Sequence, residues 1–486
     1  MHVAAFRWTM VHGGKTPGSR EIVRPDERLS WGRTAGIGAQ HVVSMFGATF
    51  VFPVIMGLNP NLAIMMSGVA TILFLLIVKG RIPSYLGTSA AFVAGAAAIR
   101  EQGGNSANIT GATLIAGLIL VAVGVIVHLS GGGIVRRLLP PAVTGAVVML
   151  IGFNLAPVVA KAYWPQDQWI ALLTATFVII AAVVFRGFAS RIAIFLGLLF
   201  GYALSWVFDR LIGPITSITC SSTTPVTHLR VDWSAVASAK WFGFPAKSTF
   251  TADGHDLVVG WHAPTFATAF IVLMLPSVIV LIAENAGHVK AVAEMTGEDL
   301  DAYLGRAFIG DGVGTVVATA VGGSPTTTYA ENIGAMAATR VYSTAAYYIA
   351  ALVAILLGLC PKFGAIVSAT PGGVLGGITV VLYGMIGLLG AKIWVENRVD
   401  FSNPANLVPL AAGLTIGIGD VSLVFSDTFS LSGIALGTIV AIVLYHTVNR
   451  FAPQPEGVPQ DAGEVPLPAP ASIHANPVEP RGRSTR

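Results

Sequence analysis

Apolar runs of similar length, parted by short polar turns, fill the chain from residue 36 to residue 450. A helix needs roughly 20 mostly apolar residues to cross a ~30 Å hydrocarbon layer. Runs near that length fall at 36–57, 61–78, 82–99, 112–130, 139–160, 169–185, 192–208, 264–292, 304–322, 324–338, 343–360, 366–389, 405–420 and 430–449. The pattern predicts an all-α polytopic membrane protein with fourteen transmembrane segments. Two of them are unusual: 324–338 is polar and proline-led, and 405–420 is short and glycine-rich.

A long polar loop at 209–263 separates the first seven runs from the last seven. Seven is odd, so a second copy of a seven-span unit must enter the membrane from the opposite side, the inverted-repeat plan of many secondary transporters. The expected organisation is an N-terminal cytoplasmic segment over 1–35, a first repeat over 36–208, an extracytoplasmic loop over 209–263, a second, inverted repeat over 264–450 and a disordered cytoplasmic tail over 451–486. The tail is rich in proline and polar residues and has too little apolar surface to build a core.

Composition changes the picture little. Hydrophobic residues make up 54% and charged residues 11%, where soluble proteins carry about 25% charged residues, so a soluble multidomain enzyme is excluded. The net charge of +4 does not mark a nucleic-acid binder, because the basic residues are scattered with no aromatic-interleaved patch. They report orientation instead. Fourteen spans with the N-terminus inside place 21 of the 28 Lys and Arg residues on the cytoplasmic side, as the positive-inside bias requires, and both termini are then cytoplasmic. Cys220 and Cys360 stand far apart without Cys or His at ligand spacing, so neither a metal site nor a disulfide framework is indicated. The glycine strings at 131 and 371 lack the lysine of a phosphate loop and read as close helix packing.

Two of the runs contain breaks. The third opens at Pro83 and continues IPSYLGTSAAF; the tenth opens at Pro325 and continues SPTTTYAENIG. In each, small or polar residues follow the proline at a depth where helix is expected. Backbone that leaves helical geometry inside a membrane is tolerated only where protein buries it or it lines a cavity, so these breaks mark the expected site. Each proline alone reads equally well as the start of a helix at the interface.

Ionisable residues at membrane depth cost at least ~2.5 kcal/mol on insertion scales and need a reason. Glu284 closes the run IVLMLPSVIVLIAE, and His288 follows at i+4, on the same helical face and within reach. Glu331 follows the second break, with Asn332 beside it. These residues suit a planar ligand whose N–H groups are bound by carboxylates while His288 exchanges a proton. The plainer reading of Glu284 and His288 is an interfacial helix end. Gln40 and His41 in the first span serve equally well as glue between helices. Asp311 in the ninth run reads either as a structural acceptor or as part of a proton route. Hydrolase and protease motifs are absent from the sequence, so an enzyme is not expected.

The stretch ENIGAMAATR, Glu331 to Arg340, resembles the signature of the nucleobase-ascorbate transporter (nucleobase:cation symporter-2) family: an acidic residue or Gln, Asn-x-Gly, four positions, Thr-Arg. AQHVVSMFGATFVFPV, KGRIPSYLGTSAAF, LIAENAGHV and GGSPTTTYAENIGAMAATRVYS are similar to segments of bacterial uracil permeases, and the likeness covers about residues 30 to 450. The resemblance implies two inverted seven-span repeats divided into core and gate domains, with short antiparallel strands in spans three and ten and a nucleobase bound between them. It implies that Glu284 and Glu331 bind ring N–H groups and that His288 contacts a carbonyl or, with Glu284, couples protons. Backbone near Ser89 and Ala330 completes the pocket, Tyr329 flanks it, and Gln40, His41, Asn332, Thr339 and Arg340 support it.

Two positions depart from the uracil-permease pattern. Ala90 stands where Phe is common and Ala330 where Gly is common, and loss of an aromatic wall removes stacking worth roughly 0.5–1.5 kcal/mol and widens the site. The expected function is a proton-coupled importer of uracil or a related pyrimidine in the bacterial inner membrane, with no cofactor beyond the coupling proton. A homodimer through the gate domains and contacts with membrane lipid are also expected. The alternatives are a purine (xanthine or urate) symporter of the same family and, from another class, an anion exchanger or channel of the same fold.

Overall fold

The computed structural model describes residues 7–18, 21–131, 133, 137, 139–219, 222–252, 255–426 and 429–451. The C-terminal tail from residue 452 lies outside them. Within the expected N-terminal segment over 1–35, β1 (Thr9–Met10) pairs in parallel with β2 (Glu27–Arg28).

The apolar runs become helices whose ends follow local chemistry. The first run forms α1 (Trp31–Ser44) and α2 (Phe46–Met56), which turn at Met45, and α2 stops at Gly57 with φ 74°. Left-handed backbone of that kind favours glycine at a helix end. Next, α3 (Pro60–Ile77) starts on Asn59, whose side chain accepts from Leu62 N at 3.0 Å, the usual role of Asn before a first-turn proline. The third run does not form one helix. Pro83 leads into β3 (Leu86–Thr88), then a short turn, then α4 (Val93–Glu101).

The half continues with α5 (Ser106–Ser130), α6 (Pro141–Asn154) with a bent extension to Gln166, α7 (Gln168–Val184) and α8 (Ala193–Leu211). Two hairpins, β4 (Ile215–Thr219) with β5 (Ser222–His228) and β6 (Ser248–Ala252) with β7 (His255–Val259), occupy the long loop. The second half holds α9 (Thr268–Thr296), α10 (Leu304–Ala320), β8 (Thr326–Thr328), α11 (Ala330–Thr339) and α12 (Thr344–Gly358). It ends with α13 (Pro361–Ser368), α14 (Gly372–Glu396), α15 (Pro404–Ile418), the hairpin β9 (Ser422–Ser426) with β10 (Phe429–Ser432), and α16 (Gly433–Phe451).

Every predicted run contains helix, yet among the described residues only eight helical stretches are long and apolar enough to cross a membrane, or nine if α12 and α13, bent by 81°, count as one. The shortfall has a physical reason. Spans three and ten spend part of their length on strands, and α7, α10 and α15 are only 17, 17 and 15 residues long. Pro83 and Pro325 precede strands, so the helix-start reading of these prolines does not hold.

Packing divides the helices into two groups. In the first, α3 packs on α10 and α12, α5 on α9 and α10, and α1 on α12. In the second, α14 packs on α6, α7 and α8, while α15 and α16 pack on each other and on α6. The groups meet mainly where α9 crosses α6 and α16. Lipid tails are as apolar as leucine, so close approach of backbones at small residues does much of the work of association. A Cβ on Gly124 would stand 2.7 Å from Ile309 N, and one on Gly312 2.7 Å from Gly117 O, where α5 meets α10. Gly38 approaches Ala346 O in the same way between α1 and α12, at 2.5 Å. The string at 371 behaves as expected: Gly373, Gly376 and Gly377 lie against residues 163–175, close to the start of α7.

Candidate polar site at the paired strands

The two breaks meet. β3 and β8 pair antiparallel with Leu86 opposite Thr328, Gly87 opposite Thr327 and Thr88 opposite Thr326, and Ser89 N extends the ladder to Pro325 O at 2.9 Å. The outer edges of so small a sheet would leave peptide groups unpaired in an apolar interior, at about 1–3 kcal/mol each. Threonines on neighbouring helices take them up. Thr71 on α3 accepts from Leu86 N at 2.9 Å, and Thr315 on α10 accepts from Thr326 N at 3.1 Å and donates to Thr326 O at 2.8 Å. Gly87 has no room for a side chain, since a Cβ there would stand 2.7 Å from Thr49 Oγ1 and also meet the Tyr329 ring.

Beside β8, α9 presents Glu284, half-buried near the middle of the helix. The Thr327 hydroxyl lies 3.4 Å from Glu284 Oε2 and 3.4 Å from Asp311 Oδ2, and its single hydrogen serves one of them at a time. Asn285 donates from Nδ2 to Asp311 Oδ2 at 2.6 Å and accepts from Thr328 Oγ1 at 3.3 Å. Asp311 is fully buried, and its Oδ1 has no hydrogen-bond partner among the described residues. One network thus joins α9, α10 and β8.

The other expected residues divide. His288 is buried one turn beyond Glu284, but the pair is not hydrogen-bonded: neither ring nitrogen has a partner among the described residues, although the Pro83 backbone is near. Helical spacing put the two side chains on one face; Thr327 engages Glu284 there, and the imidazole turns to the Pro83 side. Ser89 is buried, its amide is bonded to Pro325 and its hydroxyl accepts from Ala91 N at 3.3 Å. Ala90 is buried directly after it. Tyr329 packs against Gly87 and donates its hydroxyl to Thr88 O. Ala330 and Glu331 begin α11, directly after β8; their side chains lie outside the described ones.

His41 and Asn332 are brought together, Nδ1 to Oδ1 at 2.9 Å, while Asn332 Nδ2 donates to Tyr85 O at 3.1 Å. That arrangement ties α1, α11 and the approach to β3. Gln40 is half-buried on α1. Thr339 and Arg340 are not at the site. They close the far end of α11, about 12 Å from Glu331 at 1.5 Å per helical residue. There Arg340 takes φ 56° and donates to Gly18 O at 3.1 Å, Val23 bridges Val341, and Trp8 Nε1 donates to Thr344 Oγ1 at 2.8 Å.

Asn285 and Thr327 were not singled out from sequence, and Asp311 was noted without its partners. An acid inside an apolar helix was the available signal for Asp311; the other two gave none, because Asn beside Glu and Thr within a Thr triplet are individually ordinary. No group of His, Cys, Asp and Glu among the described residues could hold a metal ion. A cavity of about 510 Å³ opens elsewhere, between the end of α6 and α14, lined by Phe153, Val159, Trp164, Val380 and Tyr383 among others. No carboxylate lines it, so it offers no comparable chemistry.

Comparison with known proteins matches residues 32–425 to the Permease family, Xan_ur_permease. The chain is similar to "Putative pyrimidine permease RutG" of Escherichia coli (strain K12), with 43% identity over 451 residues, 90% of this chain and 96% of that protein. It is similar to the "Uracil permease" of Paenibacillus larvae subsp. larvae, with 34% identity over 438 residues, 87% and 96% of the two chains. Among solved structures, the murine Slc26a9 anion transporter in the inward-facing state superposes with a TM-score of 0.61 at 12% identity, covering 90% of this chain and 69% of that one. At that identity the likeness speaks for the fold alone.

Proposed function

This chain belongs to the Permease family of nucleobase:cation symporter-2 type, and we propose on that premise that it imports uracil or a related pyrimidine together with a proton. It is a membrane transporter and not an enzyme. The observation that carries the substrate reading is the half-buried Glu284 beside the β3–β8 pair, an acceptor at a break in two apolar segments. A pyrimidine ring presents N–H donors and carbonyl acceptors in one plane. Glu284 and Glu331 bind the N–H edge, and His288, buried one turn beyond Glu284, contacts a ring carbonyl.

In this reading Glu284 also takes the coupling proton. Thr327 stands between Glu284 and Asp311, so a change of protonation at one carboxyl alters which of them the hydroxyl serves. Carboxyl pairs linked in this way are suited to holding one proton between them.

Fourteen spans in two inverted repeats are supported by the packing. Exchanging each helix for its counterpart seven spans on turns the pair α3–α12 into α10–α5, α1–α12 into α9–α5, α7–α14 into α15–α6 and α8–α14 into α16–α6, and all of these pairs are in contact. The first group is then the core domain and the second the gate domain. Rocking of one against the other alternates access to the site. The protein lies in the bacterial inner membrane with both termini cytoplasmic, and it dimerises through gate domains.

The anion-exchanger alternative shares the fold but expects a cation or bare helix N-termini at the site, where this chain has carboxyl groups. Uptake of labelled uracil into proteoliposomes, with and without an inward proton gradient, tests the proposal. Accumulation above equilibrium only with the gradient supports it; equal uptake in both refutes coupling, and uptake of xanthine or urate but not uracil transfers the reading to the purine branch.

A further inference from the structure

The loop between α8 and α9 carries a run of aromatic residues that the described residues leave largely exposed. Trp241, Phe242 and Phe244 are 75%, 74% and 52% exposed. The run is held rigidly at the end of a membrane helix. Lys362 N donates to Lys240 O at 2.9 Å, Gly243 N donates to Leu359 O at 3.0 Å, and the Lys362 ammonium lies 4.9 Å from the centre of a Trp241 ring. These bonds attach residues 240–243 to the turn that joins α12 to α13.

The outward face of α12 says what surrounds that turn. Leu352 and Leu356, four apart on one face, are 55% and 56% exposed in the apolar second half of the helix, AALVAILLG. In an integral membrane protein such a stripe faces lipid. Leu359, which caps α12, lies roughly 5 Å beyond Leu356 at 1.5 Å per residue, and the chain then bends by 81° into α13. A turn that ends an apolar, lipid-facing helix belongs where hydrocarbon gives way to headgroups. Indole and phenyl rings flanked by lysines are favoured there, because each ring has an apolar body and the ammonium groups remain among phosphates. Lys362 lies against a Trp241 ring, and Lys240 and Lys247 flank the run in sequence.

We propose that Trp241–Phe244 is an interfacial anchor that inserts into the lipid leaflet on the side where α12 ends. The partner is the membrane surface itself, with apolar contact to upper acyl chains and lysine contact to phosphate. The anchor pins the long loop to the bilayer beside the turn into α13. Its placement does not depend on which solute crosses.

Full-length protein bearing Phe242→Cys in a Cys220→Ser, Cys360→Ser background, spin-labelled and reconstituted in phosphatidylcholine nanodiscs holding one chain each, tests this directly. A second label at Ala237→Cys, on the same loop but away from the aromatic run, is the aqueous reference. Collision with oxygen, which concentrates in lipid, is expected to exceed collision with a water-soluble nickel chelate several-fold at 242, with the order reversed at 237. Tryptophan fluorescence in lipids brominated near the headgroup is expected to be quenched, and part of that quenching lost in Trp241→Ala. Nickel access at 242 equal to that at 237 overturns the proposal, because the segment then stands in water. A label at 242 reached by neither reagent overturns it too, because protein then covers the patch. Either label in a chain that elutes at the wild-type size reports on folded protein, and the tryptophan measurement needs no label at all.

Discussion

The two breaks share a geometry and differ in chemistry. β3 and β8 each follow a proline, each have three residues, and each have an outer edge tied by a threonine of the preceding helix, Thr71 for one and Thr315 for the other. Four residues earlier on those helices stand Ser67 and Asp311. Ser67 shares a 2.8 Å hydrogen bond with the Tyr85 hydroxyl, whereas Asp311 joins Asn285 and Thr327. Gln40 and His41 on α1 precede Glu284 and Asn285 on α9 by the same 244 positions that separate Thr71 from Thr315. At these positions the first half has no carboxyl group, and the second half carries Glu284 and Asp311. Under the proposed function, the first half supplies a wall and a ladder partner, and the second the means to hold a donor-bearing ring and a proton.

The sharpest way to break this comparison is to neutralise the acidic side. Glu331→Gln is expected to abolish saturable uracil binding, since a hydrogen bond to a charged group contributes about 1.5–3 kcal/mol and each 1.4 kcal/mol is about tenfold. Binding within twofold of the original would remove Glu331 from the site. Changes to the shared geometry should act equally on both copies. Thr71→Val and Thr315→Val each strand a buried amide and are expected to lower stability by about 1–3 kcal/mol, read as matching falls in melting temperature in detergent. A large asymmetry would show that the two ties are not equivalent. A smaller effect is expected for Thr327→Val, about 0.5–1.5 kcal/mol, seen as a several-fold loss of proton-driven uptake with stability nearly kept. Smallest is Ser67→Ala, expected to cost no more than about 1 kcal/mol of stability and to leave uracil affinity unchanged in the same binding assay.

Outside the membrane the chain uses charge differently. Arg230 is buried against Asp167 at 2.7 Å and Asp209 at 3.1 Å, and Asp167 also caps α7. Breaking such a cluster leaves an uncompensated charge, so Arg230→Ala is expected to destabilise by about 3–5 kcal/mol without altering substrate selectivity.

Legibility followed the range of each interaction. Most observed helix ends lie close to the bounds of the apolar runs, because Asn59, Gly57 and Pro404 start or stop helices within a turn of those bounds. The breaks at Pro83 and Pro325 were readable because proline and clustered small polar residues are anomalous at membrane depth. Their mutual pairing was expected from the family resemblance alone, since no local pattern records that Gly87 faces Thr327. The docking of Trp8 and Val23 against Thr344 and Val341 was missed for the same reason: the partners lie more than 300 positions away. Asn285 was invisible beside Glu284 until α10 supplied Asp311 as its neighbour.

The central claim is that chemistry at the site belongs to the second copy. Binding of labelled uracil to purified protein, measured side by side for Glu284→Gln and for its first-half counterpart Gln40→Ala, tests it most directly. The account predicts that Glu284→Gln loses saturable binding while Gln40→Ala stays within several-fold of the parent. Intact binding in Glu284→Gln together with loss in Gln40→Ala would contradict it.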